Sequence, residues 1–318
     1  MASYFIEPER RTLHGHWSRD LPPVETVHSG DTVTFRTLDA SWALEPRTEQ
    51  WFGTNEFSPR DSRRDRGHAL CGPVAVRGAE PGMTLAIRFD EIRPADWGWT
   101  LAGGKTNERN QVFQVQDTMV CHRWCIDPEA GFATNQHGHR VAIRPFMGVV
   151  GLAPAKRGIH DTRPPRTVGG NIDCKELVVG STLYLPIEVS GALFSLGDGH
   201  AAQGDGEVSG FALECPMERV TVTLTVLPDQ KVTTPCAETP TGYLTMGFDH
   251  KLDRATEQAL NALLDYITTR YNVSRPDAYA LASVAADLRV TQIVNDVQGV
   301  HAFLPHDAIQ TNPSDPAA

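Results

Sequence analysis

Residues 191–207 read GALFSLGDGHAAQGDGE and bring Asp198, His200, Asp205 and Glu207 into one short run. Carboxylates and an imidazole are the groups that hold a divalent metal or move protons. Gly199, Gly204 and Gly206 let a backbone fold tightly enough to bring such side chains together. A strand is expected over Thr182–Val189, so the run reads as an acidic loop where a sheet ends, and loops on a rigid scaffold often carry function. The alternative is an acidic turn that only reverses the chain. A second cluster of the same kind lies upstream. Gly169-Gly170-Asn171-Ile172-Asp173 precedes Cys174-Lys175-Glu176-Leu177 and the run VVGSTLYLPIEV. Two loops rich in Gly and Asp that flank one strand segment could converge at one end of a sheet. The pair favours a site over a turn.

The elements that must position these residues are mostly strands. Asp31–Leu38, Met83–Ile92 and Val220–Val226 alternate apolar and polar residues, as half-buried strands do. Val74 begins a strand that runs into a turn at Pro81-Gly82, and Val141–Leu152 reads as a strand bent at Pro145. Pro and Gly punctuate these runs as in a sandwich or barrel-like architecture. After residue 250 the period changes. Ala259, Leu260, Leu263, Leu264 and Ile267 form a helical stripe behind Asp253 as N-cap. A second helix is expected from Ser274, with Pro276 near its first position, through Ala278–Leu288. A strand over Arg289–Val294 and the segment Gly299–Leu304 follow. The pattern predicts a mainly β, sandwich- or barrel-like architecture followed by two C-terminal helices. Residues 1–318 read as one unit, with a β-rich part over 10–235, an α/β part over 240–305 and a polar, Pro-rich, disordered tail over 306–318.

Composition bounds the function. The 318 residues carry a formal net charge of −10, with 40% hydrophobic and 21% charged residues. An acidic chain of this kind argues against nucleic acid or an anionic membrane as partner, since both need a basic face. Arg60, Arg63, Arg64 and Arg66 cluster, but Asp61 and Asp65 interleave them, which predicts a solvated surface loop. MASYFIEPERR lacks the apolar region of a secretory signal, and no window approaches a transmembrane span, so the expected location is cytoplasmic. The six cysteines, Cys71, Cys121, Cys125, Cys174, Cys215 and Cys236, do not make a disulfide scaffold and read as reduced, mostly buried thiols.

There is no P-loop, no G-x-S-x-G elbow, no Rossmann fingerprint and no H-E-x-x-H pair. Ser195 and Ser209 remain possible nucleophiles without supporting spacing. His14-His16 and His137-His139 form polar pairs that read as structural, and His68, in a loop entering a strand, could line a pocket.

Several blocks together resemble the acetamidase/formamidase family. They are GPVAVRGAEPG from Gly72, PFMGVVGLAPA from Pro145, GGNID from Gly169, STLYLP from Ser181, and the GDGHAAQGDGE run. The similarity runs in order from about residue 10 to residue 305, and AYALASVAADLRVTQ over Ala278–Gln292 resembles the family's C-terminal segment. The resemblance implies a mainly β/α+β fold, a β-sandwich-like core with α+β additions and two C-terminal helices, and a homo-oligomeric amidohydrolase that cleaves a small aliphatic amide, such as formamide or acetamide, to a carboxylate and ammonia. It also implies a divalent metal near the two acidic loops, and Glu214 falls in a segment similar to the family's. Where the family often carries Pro-His before Gly-Gly-Asn, this chain has Thr167-Val168, which would leave His160 or His137 to substitute. The segment Gln50–Arg66, aromatic and charged, could cover a pocket and favour a larger amide.

On this reading Asp173, Asp198 and His200 ligate one metal, with Glu214 as a fourth ligand or a carboxylate orienting His200. Mixed O/N ligands suit zinc best, with manganese or calcium as alternatives. Glu207 is the expected general base, with Asp205 next best. Asn171 or main-chain N–H groups at Gly169-Gly170 would hold the oxyanion. Two other readings stay open: a metal-free Ser or Cys amidase, with Cys174 weighed beside Asp173, and a non-catalytic binding protein with calcium held by Asp198, Asp205 and Glu207.

Overall fold

The structure, a computed structural model, describes residues 2–47 and 55–310. Gln50–Thr54 of the segment expected to cover a pocket, and residues 311–318 of the tail, lie outside the described residues. The described residues form twenty strands and three helices, so the chain is mainly β with two C-terminal helices.

Two large sheets carry the fold. In one, nine strands run in the order Ser3–Ile6, Asp31–Thr37, Met217–Leu227, Thr84–Pro94, Thr182–Pro186, Cys236–Glu238, Gly242–Asp249, Val297–Pro305 and Asp287–Asn295. Alternation holds where it was legible: along Met217–Leu227, Val220, Val222 and Leu224 are buried and the residues between them are not. In the other sheet Phe194–Ala202 sits centrally. It pairs antiparallel with Phe146–Gly151 on one side, and with Leu70–Val76 and Leu213–Glu214 on the other. Gly169–Asn171 continues the sheet beyond Phe146–Gly151. The sheets share one apolar core in which Val33, Phe35, Ile87 and Val222 of the first meet Val74, Met147, Phe194 and Leu196 of the second. Phe35 and Phe194 meet edge to face with centroids 6.0 Å apart, an arrangement that aromatic quadrupoles favour.

The acidic run differs from expectation. Asp198 and His200 lie within a strand rather than a loop, and the strand expected over Thr182–Val189 is Thr182–Pro186, in the other sheet. The glycines misled because they serve packing there. A Cβ on Gly197 would lie 2.2 Å from the Ala69 carbonyl oxygen, and one on Gly199 2.7 Å from the Met217 side chain. Pro145 ends rather than bends a strand, separating Arg140–Ala142 from Phe146–Gly151.

Helix Leu252–Tyr271 buries Ala255, Ala259, Leu263, Leu264 and Ile267 against Val300, Ala302 and Leu304. Its N-cap is Lys251, not Asp253, which lies in the first turn, where a carboxylate favours the helix dipole. Helix Arg275–Ala285 begins behind Ser274, whose hydroxyl accepts the Asp277 N–H, but stops short of Leu288 because strand Asp287–Asn295 starts there.

Candidate active site

Three neighbouring strands and one loop bring the ionisable residues together. Gly148 on Phe146–Gly151 is the pivot. Its carbonyl accepts the N–H groups of Ile172 and Asp173 at 2.9 and 3.2 Å. A Cβ there would lie 2.6 Å from Asp198 Oδ2, 2.7 Å from His200 Cε1 and 2.9 Å from Asp173 Oδ1. Only a residue without a side chain lets the three ligand-type groups close over that strand. Glu214 reaches the same place from Leu213–Glu214, directly opposite His200. Glu207 enters from a turn bridged to strand Asp287–Asn295 through Gly206 and Gln292. Asp173, Asp198 and Glu207 adopt φ of 53°, 58° and 46°. Side-chain-bearing residues rarely take these left-handed values, and such strain concentrates at functional sites.

The polar geometry is specific. His200 donates from Nδ1 to Gln203 Oε1 at 3.0 Å, and Gln203 Nε2 donates to the Asp173 carbonyl at 2.8 Å. Nε2 of His200 thereby faces Asp198 Oδ1 at 3.4 Å and Glu214 Oε2 at 3.3 Å. Asn295 Nδ2 donates to Asp173 Oδ2 at 2.9 Å, and the Ala212 N–H to Glu214 Oε1 at 3.0 Å. Five buried atoms of this cluster have no hydrogen-bond partner: Asn171 Oδ1, Asp173 Oδ1, His200 Nε2, Glu207 Oε2 and Glu214 Oε2. An unsatisfied buried polar atom costs about 1–3 kcal/mol, so a cluster of them favours an outside partner. A divalent cation fits. Asp173, Asp198 and His200 form one triad of ligand atoms within 4.8 Å of one another, and His200, Glu207 and Glu214 form a second.

The electrostatics follow from crowding like charges out of water. Burial, opposed by His200 and reinforced by Asp198 and Glu214, pushes Asp173 up to about 8. Burial, again opposed by His200, raises Glu214 to about 7. Burial and the neighbouring Asp173 raise Glu207 well above the usual carboxylate range. Burial also opposes the charge on Asp198, but His200 and His68 outweigh it and hold that carboxyl below its ordinary value. Burial opposes the imidazolium of His200, yet Glu214 and Asp198 raise its pKa well above 6.5.

The cluster opens into a cleft of about 540 Å³ walled by Trp42, Trp99, Phe211 and His68, with Arg60, Arg66 and Arg163 also lining it. Trp99 is held from behind: its Nε1 donates to buried Asp39 at 2.8 Å, and the Arg47 guanidinium stacks 4.1 Å from its ring centroid.

Six of the seven residues singled out in the sequence, Asn171, Asp173, Asp198, His200, Glu207 and Glu214, therefore meet. Asp205 does not. Its carboxylate pairs with Lys175 at 2.9 Å, outside both triads. The calcium set of Asp198, Asp205 and Glu207 is not assembled. The Gly169 N–H is spent on the Arg166 carbonyl at 3.0 Å. His160 bonds the Lys156 carbonyl, and His137 packs against His122 and His139. Neither lines the cleft, whereas His68 does, held by Thr162 Oγ1 at 2.9 Å from Nδ1. Cys174 is buried, with its thiol pushed up to about 12 by burial. Ser195 is buried against His14 Nε2 at 3.0 Å. Sequence reasoning missed Gln203 and Asn295. Gln203 sits inside the acidic run but does not titrate. Asn295 comes from the far end of the chain with no local signal.

A sequence profile described as the Acetamidase/Formamidase family matches residues 4–161 and 155–311. The chain is 26% identical over 251 residues to a formamidase of Methylophilus methylotrophus, covering 62% of this chain and 60% of that protein. It is 28% identical over 257 residues to an acetamidase of Mycolicibacterium smegmatis, covering 62% and 61%. The alignments thus span about 60% of the length of these relatives. The crystal structure of an acetamidase from Bacillus halodurans superposes with a TM-score of 0.83 at 28% identity, covering 95% of this chain and 97% of that one.

Proposed function

The chain belongs to the acetamidase/formamidase family, and from that premise we propose that it hydrolyses the C–N bond of a small carboxamide, releasing a carboxylate and ammonia. The observation that carries the proposal is the convergence of five buried polar atoms without hydrogen-bond partners, of which those of Asn171, Glu207 and Glu214 belong to residues lining one cleft. A divalent ion, zinc by the mixed O/N donor set with manganese or calcium as alternatives, would be held by Asp173, Asp198 and His200 with Glu214 beside them. When bound, such an ion supplies an activated water and polarises the carbonyl.

The chain's own residues do the rest. Gln203 fixes the ring of His200 so that Nε2 faces the site, and Asn295 fixes Asp173. Glu207, with a raised proton affinity and a free Oε2, takes the proton of the attacking water and returns it to the leaving nitrogen. Asn171 Oδ1, buried and unpartnered, accepts from the substrate NH₂, and its Nδ2 is the side-chain donor for the oxyanion. Ammonia release from formamide and acetamide, measured before and after chelation and on zinc return, tests the reading. Activity that survives complete metal removal would move it to a metal-free Ser or Cys amidase. Homo-oligomeric assembly is proposed with it and is read by light scattering. The six free cysteines support a reducing compartment such as the cytoplasm, which fractionation of expressing cells would test.

A further inference from the structure

We propose that the preferred substrate is an amide whose acyl chain ends in a carboxylate, and that Arg66 binds that carboxylate. The inference rests on the amidase reading above. Formamide and acetamide have only a few non-hydrogen atoms, whereas the cleft measures about 540 Å³, within the roughly 300–1,000 Å³ that takes much larger ligands. Its walls hold three arginines and, away from the floor, two carboxylates. Two of the arginines are committed within the wall. Arg60 pairs with Glu56 at 2.9 Å, and Arg163 pairs with Asp161 at 2.9 Å. Arg66 makes no ion pair among the described residues and is the surplus cation of the cleft.

Its backbone is fixed although its side chain is exposed. On one side, buried Asp65 is clamped by Arg10 at 2.6 Å and by the Asp61 N–H at 2.8 Å. On the other, Gly67 donates to the Gly15 carbonyl at 3.0 Å and accepts Trp42 Nε1 at 2.9 Å. A Cβ on Gly67 would lie 2.2 Å from Thr162 Oγ1, so that stretch is packed without slack. The backbone therefore fixes where the Arg66 side chain starts, and its planar guanidinium fork matches a planar carboxylate. It would offset the repulsion an anionic substrate meets from the carboxylates on the floor. Hydrolysis then turns an ω-amido carboxylate and water into a dicarboxylate and ammonium, with the C–N bond broken, a C–O bond formed and the proton of the new carboxyl carried off by the leaving ammonia.

The test compares kcat/KM for glutaramate, and for its shorter and longer homologues succinamate and adipamate, with neutral pentanamide, in wild type and in Arg66→Gln. The expected result is a wild-type preference for one of the carboxylated amides that falls about ten- to a hundredfold in the variant, the usual worth of a charge-assisted hydrogen bond. The preference should also weaken as salt rises. Equal use of charged and neutral amides by wild type, or a preference unchanged in Arg66→Gln, would overturn the inference while leaving the amidase reading intact. Absence of ammonia from every amide would strike the amidase reading instead. Calorimetric titration with glutarate still decides the inference then, because it needs no turnover. Glutarate binding that weakens at least tenfold in Arg66→Gln upholds the carboxylate site, and binding equal in both proteins overturns it.

Discussion

Two groups of three strands solve opposite problems with the same backbone ladder. Asp31–Thr37, Met217–Leu227 and Thr84–Pro94 lie side by side, with Val33, Phe35, Ile87, Phe89, Val220 and Val222 in the core. Their polar residues pair across strands, as Thr34 Oγ1 does with Thr221 Oγ1 at 3.1 Å. Phe146–Gly151, Phe194–Ala202 and Gly169–Asn171 are buried along nearly their whole length. Yet this second group carries Asn171, Asp198 and His200 and, through the Gly148 carbonyl, holds Asp173 beside them. The first group is internally satisfied and the second is not. A buried site that leaves polar groups unsatisfied gives up stability that a bound partner can restore. Substitutions should therefore cost chemistry in the second group and only stability in the first.

The sharpest separation is expected at Glu207. Glu207→Gln keeps size and burial while removing the proton acceptor. Turnover should fall about 10²–10⁴-fold, the range for losing general acid–base catalysis. Elemental analysis should find the metal content unchanged, and the melting temperature should not drop. Near-normal turnover would remove Glu207 as base. Asp205→Asn is the contrast, because Asp205 faces Lys175 rather than the cluster, and it should stay active.

Gly148→Ala asks whether the close approach of strand and ligands matters. The added methyl would stand under 3.0 Å from atoms of Asp173, Asp198 and His200. Metal should be lost and activity should drop roughly a hundredfold or more, as when a catalytic group is displaced by about 1 Å. Retention of stoichiometric metal would show that the ligands do not close over Gly148.

If a metal is held as proposed, chelation should show as a pH effect on stability. Asp173 rises from 3.8 to about 8 and Glu214 from 4.5 to about 7 in the fold. A carboxyl raised this way binds its proton more tightly folded than unfolded, so its contribution is present at low pH and lost as pH climbs. His200, also raised, acts in the same direction. The chelated protein should therefore lose stability between about pH 4 and pH 8, and the metal-replete protein should lose less. Denaturant midpoints across that range measure it, and parallel curves with and without chelator would sink the idea.

The same contrast explains what was legible in the sequence. Met217–Leu227 and helix Leu252–Tyr271 bury one face at a regular period, so their patterns announce them. Phe194–Ala202 is buried throughout and interrupted by packing glycines, so it shows no period and looks like a loop. Its chemistry was still visible because Asp198 and His200 are costly to bury and stand two residues apart. Asp205 and Glu207 have the same spacing and were equally visible. Only the fold separates them, by turning Glu207 inward and Asp205 toward Lys175. Asn295 could not be read at all, because its contact with Asp173 spans 122 positions.

The smallest expected effect belongs to the satisfied group and tests whether it is satisfied in the way described. Thr221 donates to Glu91 Oε2 at 3.3 Å, so in the Thr34–Thr221 contact Thr34 is the donor and Thr221 the acceptor. The pair is asymmetric. Thr34→Val removes a donor whose partner keeps its bond to Glu91, and valine preserves the branched shape that strands favour. Thr221→Val instead leaves the largely buried Thr34 hydroxyl without its partner, at about 1–2 kcal/mol. Replacing both removes the orphan along with the bond and should cost less than Thr221→Val alone. Urea midpoints of the three variants measure the order, and turnover should stay close to that of wild type in each, because both threonines lie in the sheet that does not carry the cluster. A double variant weaker than Thr221→Val would mean that the hydroxyls act independently. A loss of turnover in any of the three would mean that the two strand groups are coupled, and the division of labour between them would have to be abandoned.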